Sequence, residues 1–213
     1  NMTQAEILRS RKLGEKVTAA LRRRHFEAYY CENVQEAREK ALSLIPEGDT
    51  VAWGGSETMN ETGIMAELRS GRYHTIDRDR ARDAQERTQL MRESLLADTY
   101  ITSSNALSED GQLVNVDGNG NRVAAMIYGP SNVILVIGIN KVVKSLEDAW
   151  SRARNTAAPI NAQRFGLKTP CSETGSCADC TAADCICAYI STIRVSRPAG
   201  RIKVVLVGEK LGF

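Results

Sequence analysis

The hydrophobic pattern opens as a helix. From Thr3 to about Arg24, Ile7, Leu8, Val17 and Leu21 recur at helical spacing among Arg and Lys, and Thr3-Gln4-Ala5-Glu6 has the hydroxyl-to-carboxylate spacing of a capping box. His25-Phe26-Glu27-Ala28-Tyr29-Tyr30 then alternates like a strand. Asn33 predicts the cap of a helix carrying Ala37, Ala41, Leu42 and Leu44, closed by Pro46-Glu47-Gly48. Thr50-Val51-Ala52-Trp53 reads as a short buried strand, followed by a helix with Met59, Ile64, Met65 and Leu68 that stops at Gly71. Residues 73–76 predict another strand, residues 80–96 a charge-laced helix and residues 99–102 a further strand. Strand and helix alternate at roughly 30-residue intervals, which favours a parallel α/β sheet.

The pattern changes at Asn105. Up to Val123 the chain is rich in Gly, Asn and Asp, and two Asp-Gly steps, at Asp110-Gly111 and Asp117-Gly118, bracket an alternating run. Both favour tight hairpin turns, so antiparallel hairpins attached to the parallel sheet are expected. Residues 123–128 and 132–139 read as strands, the second apolar enough to be central and covered on both faces. A helix around residues 145–155 and strands at 189–196 and 202–207 follow. No linker, repeat or low-complexity tract divides the chain. The expected architecture is a single α/β domain over residues 1–213: a mainly parallel sheet flanked by helices, with antiparallel hairpins and a small Cys-rich excursion at 170–188.

Composition narrows the classes. The chain has 213 residues, 42% apolar and 25% charged; at this length folding buries roughly 70% of the unfolded surface, so no covalent staple is needed. A disulfide miniprotein and a disordered chain are excluded. Lys plus Arg number 28 against 26 Asp plus Glu, a net charge of +2, which argues against nucleic acid as the main partner. No run approaches about 18 apolar residues. The opening Met2-Thr3-Gln4-Ala5-Glu6 lacks the apolar core of a signal peptide. The expectation is a cytoplasmic protein with no membrane partner; a homo-oligomer is compatible with the sequence.

Five of the six cysteines do not fit this plain picture, because they crowd into Cys171-x5-Cys177-x2-Cys180-x4-Cys185-x-Cys187. Four readings compete. Disulfides need an oxidising compartment, and unligated packing thiols rarely cluster. Structural zinc commonly uses two paired motifs, whereas one C-x2-C pair is present and no His lies near. An iron–sulfur cluster accepts four Cys at irregular spacing and is the favoured reading. Its ligands would be Cys171, Cys177, Cys180 and Cys187, with Cys185 as the alternative. Cys31 stands alone and reads as packing.

A second candidate is the loop Trp53-Gly54-Gly55-Ser56-Glu57-Thr58, between a buried strand and a helix. Glycine permits close approach of a ligand, and a helix start offers amides to an anion. The plain alternative is a turn with Ser/Thr capping, since neither a dinucleotide motif nor a P-loop is present. Glu57 and Glu61 share a helical face at a strand's carboxyl end, where open α/β sheets place ligands. Glu57 is a candidate base or carboxylate nucleophile; for Glu61 a simple first-turn acid is preferred. Asn121, Arg122, Asn140 and Lys141, if they reach the same cleft, supply donors and charge for a carboxylate or phosphate. Asp117 reads as a turn former, His25 and His74 as ordinary strand residues, and Trp53 and Trp150 as packing.

The segment from Glu109-Asp110-Gly111-Gln112 through Asp117-Gly118-Asn119-Gly120-Asn121-Arg122-Val123-Ala124 resembles the signature of the lactate-utilisation (LUD) domain family. So do Gly129-Pro130 and Gly138-Ile139-Asn140-Lys141-Val142-Val143. Pro170-Cys171, Thr174-Gly175-Ser176-Cys177-Ala178-Asp179-Cys180 and Ile186-Cys187 resemble its cysteine-bearing branch. The resemblance covers almost the whole chain. It implies a fold like that of the ribose-5-phosphate isomerase and CoA-transferase superfamily, in which the loop at Gly54, Gly55, Ser56 and Thr58 would hold phosphate or acyl-CoA groups. It also implies a link to oxidation of L-lactate to pyruvate alongside separate iron–sulfur subunits. Where the branch usually shows Arg-Ile-Cys-Asn, this chain has Cys185-Ile186-Cys187-Ala188, which leaves the fourth ligand open. Three functions are carried forward: a component of a lactate-oxidising system with an anion site and a metal centre, a non-catalytic accessory subunit with structural metal, and an acyl- or CoA-transferring enzyme using Glu57.

Overall fold

The computed structural model describes residues 1–213. Helix α1 (Gln4–Arg23) begins at the capping box the sequence predicts: the Thr3 hydroxyl accepts the Glu6 N–H at 3.2 Å, and the Glu6 carboxylate accepts the Thr3 N–H at 2.6 Å. Val17 and Leu21 are fully buried. The chain turns at His25, whose φ is 67°, into β1 (Glu27–Cys31) and then α2 (Val34–Ser43), whose Asn33 cap accepts the Glu36 N–H. β2 (Thr50–Trp53) leads to α3 (Glu57–Glu61) and α4 (Ile64–Leu68). One helix was expected here, but Gly63, at φ +75°, breaks it in two. β3 (His74–Thr75) is shorter than its predicted span, and the charge-laced helix is confined to α5 (Ala84–Glu93), with a single 3-10 turn on either side. β4 (Thr99–Thr102) lies where the pattern puts it.

β5 (Ala106–Ser108) and β6 (Leu113–Asp117) form the expected antiparallel hairpin. Gly111 turns it at φ +88°, and a Cβ there would lie 3.0 Å from the backbone of Ala20. The second Asp-Gly step behaves differently. Residues 123–128 were expected as a strand but belong to α6 (Asn121–Tyr128). The Asp117 carboxylate accepts the N–H groups of Arg122 and Val123 at 3.0 and 3.1 Å. It thereby satisfies first-turn donors that Gly120, at the cap position, has no side chain to reach. Val123 and Met126, three apart, face inward while Tyr128 is exposed.

β7 (Asn132–Gly138) is buried throughout and is followed by β8 (Val142–Val143) and α7 (Leu146–Arg152). The helix expected to end near residue 155 continues through a π turn, Ala153–Ala157, into α8 (Ala158–Phe165). Pro159 has no amide to bond back to Asn155, and the wider turn before it makes room for its ring. α9 (Pro170–Thr174), β9 (Tyr189–Ile193) and β10 (Ile202–Val207) complete the chain's elements.

The main sheet has six strands, all parallel, in the order β1-β10-β7-β4-β2-β3. Along β7, Val133, Leu135 and Ile137 pack with Val17, Leu21, Leu113 and Met126, while Ile134 and Val136 pack with Ala37, Ala41, Met59 and Ile64. Both faces are covered, which is why the strand reads as continuously apolar. Contrary to the expectation, the hairpin is not attached to this sheet. β8 pairs with its β5 edge and β9 with its β6 edge, giving a second, mixed sheet in the order β8-β5-β6-β9. That sheet packs against α7 and the helix beyond through Ala106, Val114, Val116, Ala149, Ala153 and Ala158. No helix is long and apolar enough to cross a membrane.

Candidate functional site

The carboxyl ends of β2, β4 and β7 open into one cleft of about 480 Å³. The glycine loop after β2, Ser103 to Asn105 after β4, the turn between β6 and α6, and Lys141 after β7 line it. Arg69, Arg78 and Arg87 contribute from the α4–α5 region, and Arg164 with Phe165 from α8. Six cationic side chains therefore meet three carboxylates, Glu57, Asp79 and Asp117. Of the residues singled out from sequence, Gly54, Gly55, Ser56, Glu57, Asn121, Arg122 and Lys141 line the cleft. Thr58 and Asn140 stand behind it. Thr58 is fully buried, with its hydroxyl 3.3 Å from the Lys141 ammonium nitrogen. Asn140 holds the segment after β10 instead, accepting the Leu211 N–H at 2.9 Å and donating to the Leu211 carbonyl at 3.2 Å.

The two glycines have a packing cause. A Cβ on Gly54 would sit 2.7 Å from the Thr102 hydroxyl and 2.8 Å from Arg122 Cδ; one on Gly55 would sit 2.6 Å from Arg78 Nη2. The loop is thin because two arginines lie on it. α3 has only five residues and Ser56 makes no capping bond, so the charge at this loop comes from side chains rather than from a helix dipole.

Those two arginines differ in state. Arg122 is satisfied. Its Nη1 donates to the Ser103 carbonyl at 3.0 Å and the Asn115 amide oxygen at 2.8 Å, and its Nη2 to the Asn105 amide oxygen at 2.9 Å and the Val116 carbonyl at 3.0 Å. It ties three loops together as a positive charge held by neutral oxygens. Arg78 is not satisfied. Its side chain is 11% exposed, its Nη1 contacts the Met91 sulfur at 3.6 Å, and its buried Nε has no partner. The nearest carboxylate, Asp79, is 3.9 Å away and already bound to Arg69 and Arg87 at 3.0 Å each. Burial pushes Asp79 toward neutrality, but hydrogen bonds from Arg87 and Trp53 and the neighbouring cations hold it below the usual carboxylate range. A guanidinium left with unpaired donors at a buried site is costly unless an oxyanion completes it.

Lys141 is 3% exposed. Its nitrogen lies 3.0 Å from the Ser103 hydroxyl as well as near Thr58, and it makes no ion pair. Burial, then the charges of Arg152 and Arg122, pushes its pKa down to about 7.

The cysteine segment reaches the cleft at a single residue. Ile186 lines it, and Gly118 lets the two segments approach closely, since a Cβ there would sit 3.3 Å from the Ile186 backbone. Cys171, Cys177, Cys180, Cys185 and Cys187 are all partly exposed free thiols. Cys177 and Cys185 accept backbone N–H groups from Asp179 and Cys187, each at 3.4 Å. Cys187 is pushed up to about 12 by burial and by the fields of the Cys185, Cys177 and Cys171 sulfurs. No three His, Cys, Asp or Glu side chains converge closely enough to share one ion. The donor chemistry nevertheless fits a thiolate-bound metal: thiols that oppose one another's ionisation are what a cation relieves. Cys31 is buried in the core, as its isolation suggested.

Arg69, Arg78, Arg87 and Arg164 escape a sequence reading because their spacing is that of solvated helix faces. The approach of Arg78 to Gly55 is a tertiary contact, and a glycine pair after a strand is its single local trace.

The LUD domain family profile matches residues 14–207. No curated protein matches the chain. Among solved structures, a DUF162 family protein from Deinococcus radiodurans aligns over 97% of this chain and 99% of its own, with 13% identity and a TM-score of 0.46. Since the profile spans both sheets, the cleft and the cysteine segment, the chain belongs to the LUD domain, or lactate-utilisation, family.

Proposed function

We propose that this protein binds a small carboxylate or phosphate in the arginine-lined cleft and acts as a component of an L-lactate to pyruvate oxidation system. The observation that carries the reading is Arg78, a nearly buried guanidinium on the glycine loop with no acceptor for its Nε. The excess of cations over carboxylates around it favours an anion of small size. Cys171, Cys177 and Cys180, with Cys187 or Cys185, would hold an iron–sulfur cluster or zinc. A cluster would carry single electrons toward partner iron–sulfur subunits; zinc would fix the segment's shape. A second reading rests on Glu57, whose carboxylate lines the cleft 3.9 Å from Arg164: a CoA-transferase-like enzyme in which Glu57 takes the acyl group. The test is a thermal-shift panel of L-lactate, pyruvate, phosphate and acetyl-CoA. Stabilisation by the small anions, retained in Glu57→Gln, supports the first reading. Stabilisation by acetyl-CoA alone, with acyl exchange lost in Glu57→Gln, supports the second. No stabilisation by any anion contradicts both.

A further inference from the structure

We infer that Lys141 is a nucleophilic amine that condenses with the carbonyl of a 2-oxo acid held in the cleft. The inference rests on the anion-binding reading and names its substrate class.

Lys141 leaves β7 in the 3-10 turn Ile139–Lys141. Its nitrogen opens on the cleft, and its hydrogen-bond partners are two hydroxyls, Ser103 at 3.0 Å and Thr58 at 3.3 Å. An ammonium buried without a carboxylate is an uncompensated charge. A neutral amine in the same place is comfortable, because a hydroxyl can either donate to its lone pair or accept its N–H. The groups around it reinforce that state. Arg122 of α6, Arg152 of α7 and Arg164 of α8 oppose its protonation, and Glu61 of α3 alone favours it. Glu61 is occupied elsewhere, accepting the Gly212 N–H at 2.9 Å. The depressed pKa of about 7 follows from this setting.

A cationic cleft selects a carboxylate, and a free amine selects a carbonyl; a 2-oxo acid carries both on adjacent carbons. The amine lone pair forms a C–N bond as the carbonyl π pair moves to oxygen, and an amine proton passes to that oxygen through the Ser103 hydroxyl. The C–O bond then breaks, the nitrogen loses its second proton, and one water leaves. No oxidant or further reactant is required.

The test treats the full chain, purified anaerobically, with pyruvate and sodium cyanoborohydride, beside a calorimetric titration with pyruvate alone. The expected mass gain is one pyruvic acid less one oxygen atom, mapped to Lys141, with yield rising through pH about 7. Lys141→Arg and Lys141→Met each lower the yield at least about tenfold; the two differ in charge, and a melting curve establishes that at least one is folded. Binding heat without an adduct overturns the inference and leaves the anion reading standing. An adduct confined to surface lysines overturns it too. Neither heat nor adduct overturns both.

Discussion

Arg122 and Arg78 show how little residue type says about role. Both pack on the glycine loop, yet Arg122 has four oxygen acceptors, while Arg78 has the Met91 sulfur, a carboxylate no nearer than 3.9 Å and no partner for its Nε. Sequence reasoning reaches Arg122 and Lys141 because each follows a recognisable turn or strand. It cannot reach Arg78, whose neighbours in the chain are ordinary surface charges. Asp117 was read as a turn former and is one, but it also caps α6. Asp117→Ala is therefore expected to cost about 1–2 kcal/mol in urea unfolding; an unchanged midpoint would mean that water replaces the cap without loss. Lys141 carries a second prediction. Its folded pKa, about 7, lies below the ordinary lysine value of 10.5, so between those limits the unfolded chain binds more protons than the folded one. Stability relative to Lys141→Met should rise with pH across that window and be flat below it. Melting temperatures of the two proteins from pH 6 to 10 measure the slope; a difference that stays flat over that whole range would show that the lysine is still charged when buried.

The legibility of an element follows from where its specification lies. β2, β4 and β10 appear at their predicted bounds because short apolar runs between turn residues leave few alternatives. The caps of α1 and α2 are local chemistry and are equally readable. α6 is not, because its run of Val, Ala, Met and Ile is short enough to suit either state and is decided by a carboxylate preceding the helix. The continuation of α7 into α8 was hidden by Pro159, which ordinarily marks a break. The cysteine segment has little regular structure beyond α9, and its shape should depend on what it binds. Anaerobic protein is expected to contain iron with acid-labile sulfide, lowered in Cys177→Ala. Chelation should then increase proteolytic cleavage within residues 170–188. Zinc without visible absorbance would remove the redox role, and identical cleavage before and after chelation would show that the segment holds its shape unaided.

At the scale of the whole molecule, the site lies where the two sheets meet. The parallel sheet presents the carboxyl ends of β2, β4 and β7, as open α/β folds do. The mixed sheet brings β6 and the turn into α6 from the other side, and Arg122 bonds both to Ser103, just past the end of β4, and to Val116 of β6. The sequence pattern attached the hairpins to the parallel sheet, whereas they belong to a sheet of their own. That β5 and β6 pair instead with β8 and β9 is a long-range choice which no local signal encodes. The central claim is that this junction holds an anion on Arg78. Calorimetric titration of pyruvate into the parent protein and Arg78→Gln at low ionic strength tests it most directly. Loss of charge-assisted hydrogen bonds worth about 1.5–3 kcal/mol predicts saturable binding that weakens by roughly 10- to 150-fold in Arg78→Gln, with no fall in melting temperature. Equal affinity in the two proteins would contradict the account.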